Sequence, residues 1–140
     1  MKVKRAKIII ALRYDLLDRV IRLTRDAGFQ EEKYESLYLP IEWNRGQLIK
    51  LLDLRIGALV RERYTTKAVT HEGLLPAKIS KRASIDYILQ RTLMRPRDVI
   101  LFFNLCIAQA IDNPSITTQM LRQAEGEYSR LRLRSLSVAS

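Results

Sequence analysis

The chain has 140 residues and a formal net charge of +10, with 47% apolar and 29% charged residues. This composition is typical of one globular domain and excludes a long disordered tail. No apolar run approaches the roughly 20 residues that a membrane-spanning helix needs. Arg13 and Asp15 also interrupt the first apolar stretch before it reaches signal-peptide length. We therefore expect a soluble cytoplasmic protein that has no membrane among its partners.

The first predicted element is a strand. Residues 7–12, Lys-Ile-Ile-Ile-Ala-Leu, form an apolar β-branched run of the kind that is buried on both faces of a sheet. The next residues have helical spacing, which predicts a helix with Asp15 as its N-cap and Gly28 as the residue that ends it. Apolar and polar residues then alternate over 37–43, which predicts a second strand, placed at an edge because of Pro40.

Two isolated strands are marginal in water, and a strand that is buried on both faces needs a neighbour on each side. We therefore expect either that an N-terminal part is missing or that another chain completes the sheet, and a homo-oligomer is one such arrangement.

Helices are predicted for the remainder of the chain. Asn44 followed by Gln47 is a capping-box variant, and it opens a helix that ends near Tyr64. Residues 65–82 show little periodicity and are interpreted as a long loop.

Three more helices complete the prediction. The first has Ser84 as N-cap and ends near Leu93, the second has Pro96 at its first position, and the third has Thr117 as N-cap and ends at Leu136. The predicted fold is mainly α with a small two-strand β element. We divide it into a strand–helix–strand part at 1–43, a helical part at 44–136 and a disordered tail at 137–140.

The chain contains one cysteine, Cys106, and one histidine, His71. These are too few for an intramolecular disulfide or a zinc site of the usual ligand number, so no metal site is expected. Cys106 lies in an apolar helical pattern without a nearby base, which favours a packed thiol over a nucleophile. His71 stands beside Glu72 in a polar stretch and is interpreted as a solvated loop residue.

Several segments resemble the C-terminal half of bacterial P-loop ATPases of the AAA+/STAND-like group. Residues 7–16 look like the first-sensor strand, and residues 39–48 resemble the last core strand and its passage into the lid helices. Residues 91–100, with Arg-Pro-Arg-Asp at 95–98, resemble the start of the second-sensor helix. Residues 116–136 are similar to the segment after that helix. The resemblance implies an α/β remnant of a P-loop core followed by a helical lid.

The resemblance also implies roles for three arginines. Arg13, Arg95 and Arg97 are the nucleotide-sensing candidates, and ATP and Mg²⁺ are the ligands of the complete module. Guanidinium groups suit this role because phosphoryl transfer spreads negative charge over the γ-phosphoryl oxygens. In the alternative interpretation Arg95 and Arg97 are solvated or pair with acidic residues such as Asp98, since Pro with a following acid is ordinary helix-start chemistry.

The motifs for nucleotide hydrolysis are missing from the sequence. No glycine precedes a lysine as in G-x-x-x-x-G-K-[ST], and no aspartate directly follows the apolar run at 8–12 as in a Walker B strand. We therefore expect a chain that is not an enzyme on its own and that binds no cofactor alone.

A stand-alone basic module that binds nucleic acid is the alternative function. The last two helices, joined by Asn113-Pro114, are candidates for a helix-turn-helix with residues 118–134 as the recognition helix. The basic net charge is compatible with this interpretation, although the turn has no glycine and an arginine-rich outer face is often simply solvated. The residues that would face DNA are Arg122, Arg130, Arg132 and Arg134.

Overall fold

The computed structural model describes residues 7–24, 31–61 and 69–137. The chain forms two compact units, Met1–Ile41 and Glu42–Ser140. The described helices and strands are α1 (Tyr14–Thr24), α2 (Arg45–Arg61), α3 (His71–Leu74), β1 (Lys78–Ile79), β2 (Arg82–Ala83), α4 (Ser84–Arg91), α5 (Pro96–Gln109) and α6 (Thr118–Ser137), with 3₁₀ turns at Glu31–Lys33 and Glu35–Leu37. A mainly helical fold with a small two-strand sheet confirms the predicted fold class.

In the first unit, α1 begins directly after Arg13. The Arg13 carbonyl accepts hydrogen bonds from the backbone N–H groups of Leu16 and Leu17, at 3.1 and 3.0 Å. Asp15 therefore lies in the first turn, where a negative charge still favours the helix, rather than at the predicted N-cap. The predicted stop at Gly28 lies outside the described residues.

The two strands predicted for residues 7–12 and 37–43 are not formed. Residues 7–13 have no regular secondary structure, and the side chains of Ile8 and Ile9 are 86% and 94% exposed. Leu37 ends a 3₁₀ turn, and residues 38–44 are irregular. A strand requires ladder hydrogen bonds from a neighbour, and the described residues supply none to either segment. Both strand predictions are therefore wrong, and the observed sheet lies elsewhere in the chain.

The second unit opens with the predicted capping box. Asn44 Oδ1 accepts the Gln47 backbone N–H at 2.9 Å, and Gln47 Oε1 accepts the Asn44 backbone N–H at 3.0 Å. Two of the N–H groups that a helix start leaves without partners are thereby satisfied. Spacing by four places Leu48, Leu52 and Ile56 on one face of α2, and all three are fully or almost fully buried.

The segment predicted to be a long loop contains a short helix that is held by α2. The backbone N–H and the Nδ1 atom of His71, the first residue of α3, both lie 2.8 Å from Asp53 Oδ1. His71 is half-buried against α2, so its interpretation as a solvated loop residue is wrong. The predicted end of α2 near Tyr64 lies outside the described residues.

A β-hairpin follows α3. Lys78 stands opposite Ala83 in antiparallel register, and Ser80 and Lys81 form the two-residue turn with φ angles of 50° and 67°. Two central residues with positive φ are typical of a type I′ turn, whose twist matches that of paired strands. This turn usually contains Asn-Gly, so Ser-Lys carried no sequence signal for a hairpin.

The hairpin leads directly into α4. Ser84 does not cap this helix as predicted, because its Oγ donates to the Pro76 carbonyl and Ala83 is the N-cap residue. At the other end, the Met94 backbone N–H donates to the Leu89 carbonyl at 3.0 Å, and the Leu93 backbone N–H donates to the Gln90 carbonyl at 3.2 Å. These bonds form a Schellman motif, which normally contains glycine.

The starts of α5 and α6 match the sequence predictions. Pro96 is at the first position of α5. Thr117 Oγ1 accepts the Met120 backbone N–H at 3.2 Å, which confirms the predicted N-cap of α6. Ile116 and Leu121, which lie on either side of this cap as in a hydrophobic staple, are both buried.

Helices α5 and α6 pack side by side in antiparallel orientation. Asp98 at the start of α5 meets Arg132 near the end of α6, and the Phe102 ring packs against Tyr128 with centroids 5.2 Å apart. The core between these helices and α2 and α4 consists of aliphatic and aromatic side chains together with Cys106. This contiguous core places the surface arginines of the second unit on a rigid support.

We expect Asn44→Ala to lower the free energy of unfolding by about 1 kcal/mol, because the start of α2 loses its N-cap. Gln47→Ala removes the reciprocal bond, so the double variant should lose less than the sum of the two single losses. Urea denaturation followed by circular dichroism measures all three values. Strictly additive losses would contradict a cooperative capping box.

Candidate functional site

Two of the nucleotide-sensing candidates lie together at the start of α5. Arg95 is the N-cap residue and Arg97 is the second residue of the helix, and both side chains are exposed. Neither guanidinium forms an ion pair with a carboxylate of the described residues. The alternative that they pair with Asp98 is not observed, because Asp98 has a different partner.

Asp98 is buried and joins the two long helices. Its side chain is 7% exposed, and Oδ1 lies 3.6 Å from Arg132 Nη1. Burial, and next the Asp98 carboxylate, raises the pKa of Tyr128, while Arg132 and Arg95 act in the opposite direction. Because Asp98 is turned inward and neutralised by α6, the exposed start of α5 keeps the positive charge of its arginines.

Arg13, the third nucleotide-sensing candidate, belongs to the first unit. Its Nε and Nη2 donate to the two carboxylate oxygens of Asp15 at 3.0 and 2.7 Å. Both side chains are largely exposed. Arg13 precedes α1 and does not end a strand, so the position expected from the resemblance is not reproduced.

The four arginines proposed to face DNA are in two different situations. Arg122 and Arg132 are engaged in contacts within the second unit, with Glu125 and Asp98 respectively. Arg130 and Arg134 lie one turn apart on α6, are exposed, and form no ion pair with a described residue. The connection between α5 and α6 spans residues 110–117 and the helices are antiparallel, which differs from the short turn and wide crossing angle of a helix-turn-helix.

A second arginine cluster lies between α4 and α6 and is organised by one carboxylate. The Tyr87 hydroxyl donates to Glu125, with both carboxylate oxygens at 2.7 Å. Arg91 Nε lies 2.7 Å from Glu125 Oε1, and Arg122 Nη1 lies 3.0 Å from Oε2. Glu125 is 15% exposed, so these contacts are partly shielded from water.

The guanidinium groups of Arg91 and Arg122 both lie against the Tyr87 ring. The Cζ atoms of Arg91 and Arg122 lie 5.3 and 5.1 Å from the ring centroid, within cation–π range. The hydrogen bond with the Tyr87 hydroxyl, and next the Glu125 charge, raises the pKa of Arg91 above its ordinary value. Both guanidinium groups are thus held in position by the Tyr87 ring and the Glu125 carboxylate.

These side chains border an open pocket of about 700 Å³. We call it the arginine pocket, and its polar lining consists of Ser80, Arg82, Tyr87, Gln90, Arg91 and Arg122. Arg82 donates to the neutral Gln90 amide oxygen, and Arg122 donates to Ser80 Oγ. The hairpin, α4 and α6 each contribute a guanidinium to this site.

Sequence reasoning did not find the arginine pocket as a site. The basic stretches at 78–82 and 91–97 and the basic face of α6 were visible, but they were spread over several elements. The local signals were the four-residue spacing of Tyr87 and Arg91 and the three-residue spacing of Arg122 and Glu125. Only the tertiary packing brings these pairs together.

Cys106 has the environment of a structural thiol. It is buried in α5. Burial raises the pKa of the Cys106 thiol from 9.0 to about 12. The thiolate, which is the nucleophilic form, is therefore not populated near neutral pH.

Within the described ranges, no three His, Cys, Asp or Glu side chains are grouped so that they could hold a metal ion. None of the described helices has the length and apolar character needed to cross a bilayer.

The fold and its surface define a helical domain with exposed and clustered arginines. Residues 46–137 match the model of a family described as the FunZ-associated C-terminal helical domain. This match covers most of the second unit and more than half of the chain, and the chain belongs to this family. Comparisons with curated proteins and with solved structures return no match.

We expect the stability of the fold to fall as the pH rises above 9, because the Cys106 thiol ionises in the unfolded chain but stays protonated in the fold up to about pH 12. At pH 10 this single group should lower the free energy of unfolding by about 1.4 kcal/mol. Urea denaturation at pH 8 and pH 10 measures the change.

Tyrosines also titrate in this range, so Cys106→Ala provides the reference. The variant should lose less stability between pH 8 and pH 10 than the wild type. Equal losses in the two proteins would contradict a strongly raised pKa of the thiol.

Proposed function

We propose that this helical domain senses the nucleotide state of a P-loop ATPase through Arg95 and Arg97. The observation that carries the proposal is that both arginines are exposed at the start of a 14-residue helix and form no ion pair with a described carboxylate. Backbone N–H groups and the helix dipole favour an anion at such a position. The resemblance of residues 91–100 to a second-sensor helix supports the same assignment.

The burial of Asp98 also favours phosphate contact at this position. An exposed acid in the first turn would repel phosphate oxygens and attract the two arginines. Arg132 instead neutralises Asp98 on the inner side of the helix. The two sensor candidates therefore remain available to an external anion.

The residues at this position fit the phosphates of ATP but not Mg²⁺. Arg95 and Arg97 would bind phosphoryl oxygens, and Asp98 would not ligate the metal because it is buried and paired. The ATP would supply the phosphoryl group, and the phosphate loop and the metal ligands would come from another polypeptide segment or from a partner. The chain alone would neither hold the nucleotide nor hydrolyse it.

A FunZ protein is the partner that we propose, because the description of the family associates this helical domain with FunZ. The first unit offers a further contact in this proposal. The side chains of Ile8, Ile9, Leu39 and Ile41 are largely exposed, and they would be covered by a chain that completes a sheet or by a second copy. A cytoplasmic location completes the proposal, since a single free cysteine fits a reducing compartment.

The ATPase proposal is tested with the chain in complex with the FunZ protein. We expect Arg97→Ala to lower the kcat for ATP hydrolysis by about tenfold or more, because an arginine on the γ-phosphoryl group stabilises the charge of the transition state. The matched control is Arg55→Ala, which removes an exposed arginine of α2 that has no proposed role.

An unchanged kcat in Arg97→Ala would contradict the role of Arg97. A complex without ATP hydrolysis would contradict the proposed function as a whole. An equal loss in Arg55→Ala would show that the effect arises from net charge and not from the proposed site.

Nucleic-acid binding is the second candidate function. The observation that favours it is the exposed pair Arg130 and Arg134, which lies on the outer face of α6 without a carboxylate partner in the described residues. Two exposed arginines one turn apart can contact successive phosphates, and the net charge of +10 would strengthen binding at low salt.

This alternative is tested by the salt dependence of binding to a labelled DNA duplex, measured by fluorescence anisotropy. Each phosphate contact contributes about −0.9 to the slope of log K against log salt. We expect the double variant Arg130→Gln/Arg134→Gln to reduce the slope by about 1.8, whereas Arg55→Gln leaves it almost unchanged. Binding that is absent or insensitive to salt would contradict this function.

A further inference from the structure

The arginine pocket has a charge imbalance that its own residues do not remove. Arg82, Arg91 and Arg122 each border it. Glu125 is the carboxylate that pairs with Arg91 and Arg122, and within the described residues Arg82 donates only to the neutral Gln90. Three positive charges against one negative charge leave a net charge of +2 at the pocket. Guanidinium groups that share one cavity repel one another unless an anion lies between them.

Several guanidinium donors at the pocket have no acceptor among the residues that the structure describes. Each guanidinium has five N–H groups. Arg82 uses Nη1 for Gln90, and its Nε and Nη2 meet no acceptor in the described residues. Arg122 uses Nη1 and Nη2 for Tyr87, Glu125 and Ser80, and its Nε likewise meets no acceptor in the described part of the chain. These donors are available to an acceptor that enters the pocket.

Two of the three guanidinium groups that border the pocket, those of Arg91 and Arg122, are positioned by their surroundings. The stacking of Arg91 and Arg122 on the Tyr87 ring and their ion pairs with Glu125 restrict their rotamers. The rotamer entropy of these two side chains is therefore already reduced in the free protein, so that binding an anion costs less entropy. This preorganisation distinguishes the pocket from Arg130 and Arg134, the exposed pair on α6, which form no such contacts with the described residues.

Two walls of the pocket have backbone in the left-handed region. Ser80 on the hairpin and Leu93 after α4 both line the pocket, with φ angles of 50° and 52°. Non-glycine residues in this region cost about 1 kcal/mol or more each and often accompany functional sites. The turn at Ser80 directs its hydroxyl to Arg122, so the strained hairpin helps to orient a pocket guanidinium.

We propose that the arginine pocket is a binding site for a phosphoryl dianion, either inorganic phosphate or a phosphate monoester. A phosphate monoester carries about −1.5 to −2 charges at pH 7 and offers three strong acceptor oxygens, which match the pocket's charge of +2 and its unused donors. Planar guanidinium groups bind phosphate oxygens through paired hydrogen bonds. This site is separate from the sensor candidates Arg95 and Arg97, and it does not depend on an ATPase partner.

The proposal is tested by titrating the ¹⁵N-labelled full chain with inorganic phosphate at constant ionic strength, with chloride as the reference anion. We expect saturable amide shifts around Ser80, Gln90 and Arg122. Arg82→Gln should weaken phosphate affinity by roughly tenfold, since a hydrogen bond to a charged group is lost. Arg82 has no carboxylate partner in the described ranges, so this variant should keep the fold, and thermal unfolding by circular dichroism checks that.

Arg55→Gln is the matched control because it removes one exposed positive charge of α2, outside the pocket. Its affinity for phosphate should equal that of the wild type. A loss equal to that of Arg82→Gln, or the absence of saturable shifts in the wild type, would overturn the proposal.

A second set of titrations identifies the source of the phosphoryl group. Glycerol phosphate, a monoester, and dimethyl phosphate, a diester with one negative charge, are titrated in the same way. We expect the monoester to bind at least about tenfold more tightly than the diester, because the diester has fewer acceptor oxygens and less charge. Equal affinities would overturn the preference for a dianion. Tighter binding of inorganic phosphate than of the monoester would assign the site to the free ion.

Discussion

The antiparallel packing of α5 against α6 is the constraint on which the second unit depends. Phe102 and Tyr128 fill the space between the two helices, and Cys106 and Ala124 are buried in the same core. Asp98 and Arg132 meet at one end of this contact. A shift of either helix by one residue would rotate its side chains by about 100° and would leave the buried Asp98 without its partner. The apolar contacts supply most of the stability, and the observed register is the one in which the buried carboxylate meets a cation.

The position of α6 in turn determines both cationic surfaces. Glu125 follows the buried Ala124, so the same register that buries Ala124 brings the Glu125 carboxylate to Tyr87 of α4. The carboxylate then forms ion pairs with Arg91 of α4 and Arg122 of α6 beside the hairpin. Near the end of α6, Arg132 pairs with Asp98. The Asp98 carboxylate therefore does not pair with Arg95 and Arg97, which stay exposed at the start of α5. One packing arrangement therefore creates an ordered arginine pocket and a separate pair of exposed arginines.

Local sequence signals predicted the helix starts well and the irregular connections poorly. The Asn44 capping box, Pro96 and the Thr117 N-cap involve contacts over three or four residues, so a short pattern is enough to identify them. The hairpin turn and the Schellman motif were missed because Ser-Lys and Leu-Met occupy positions where glycine or asparagine is usual. The strand prediction for residues 7–12 failed for a different reason. Apolar β-branched residues favour a strand only where a second strand is available for pairing.

The sequence by itself determined that the chain is mainly helical and basic, where α2, α5 and α6 begin, and that it contains no phosphate loop motif. These properties follow from composition and from interactions between near neighbours. The tertiary structure alone decided which of the described arginines form ion pairs and which do not. Asp98 could have paired with Arg97 beside it, yet it pairs with Arg132, which lies 34 residues away in sequence. The partner of Asp98 depends on which side chain the packed helices bring to the buried carboxylate, and no local sequence pattern encodes a contact between residues so far apart in the chain.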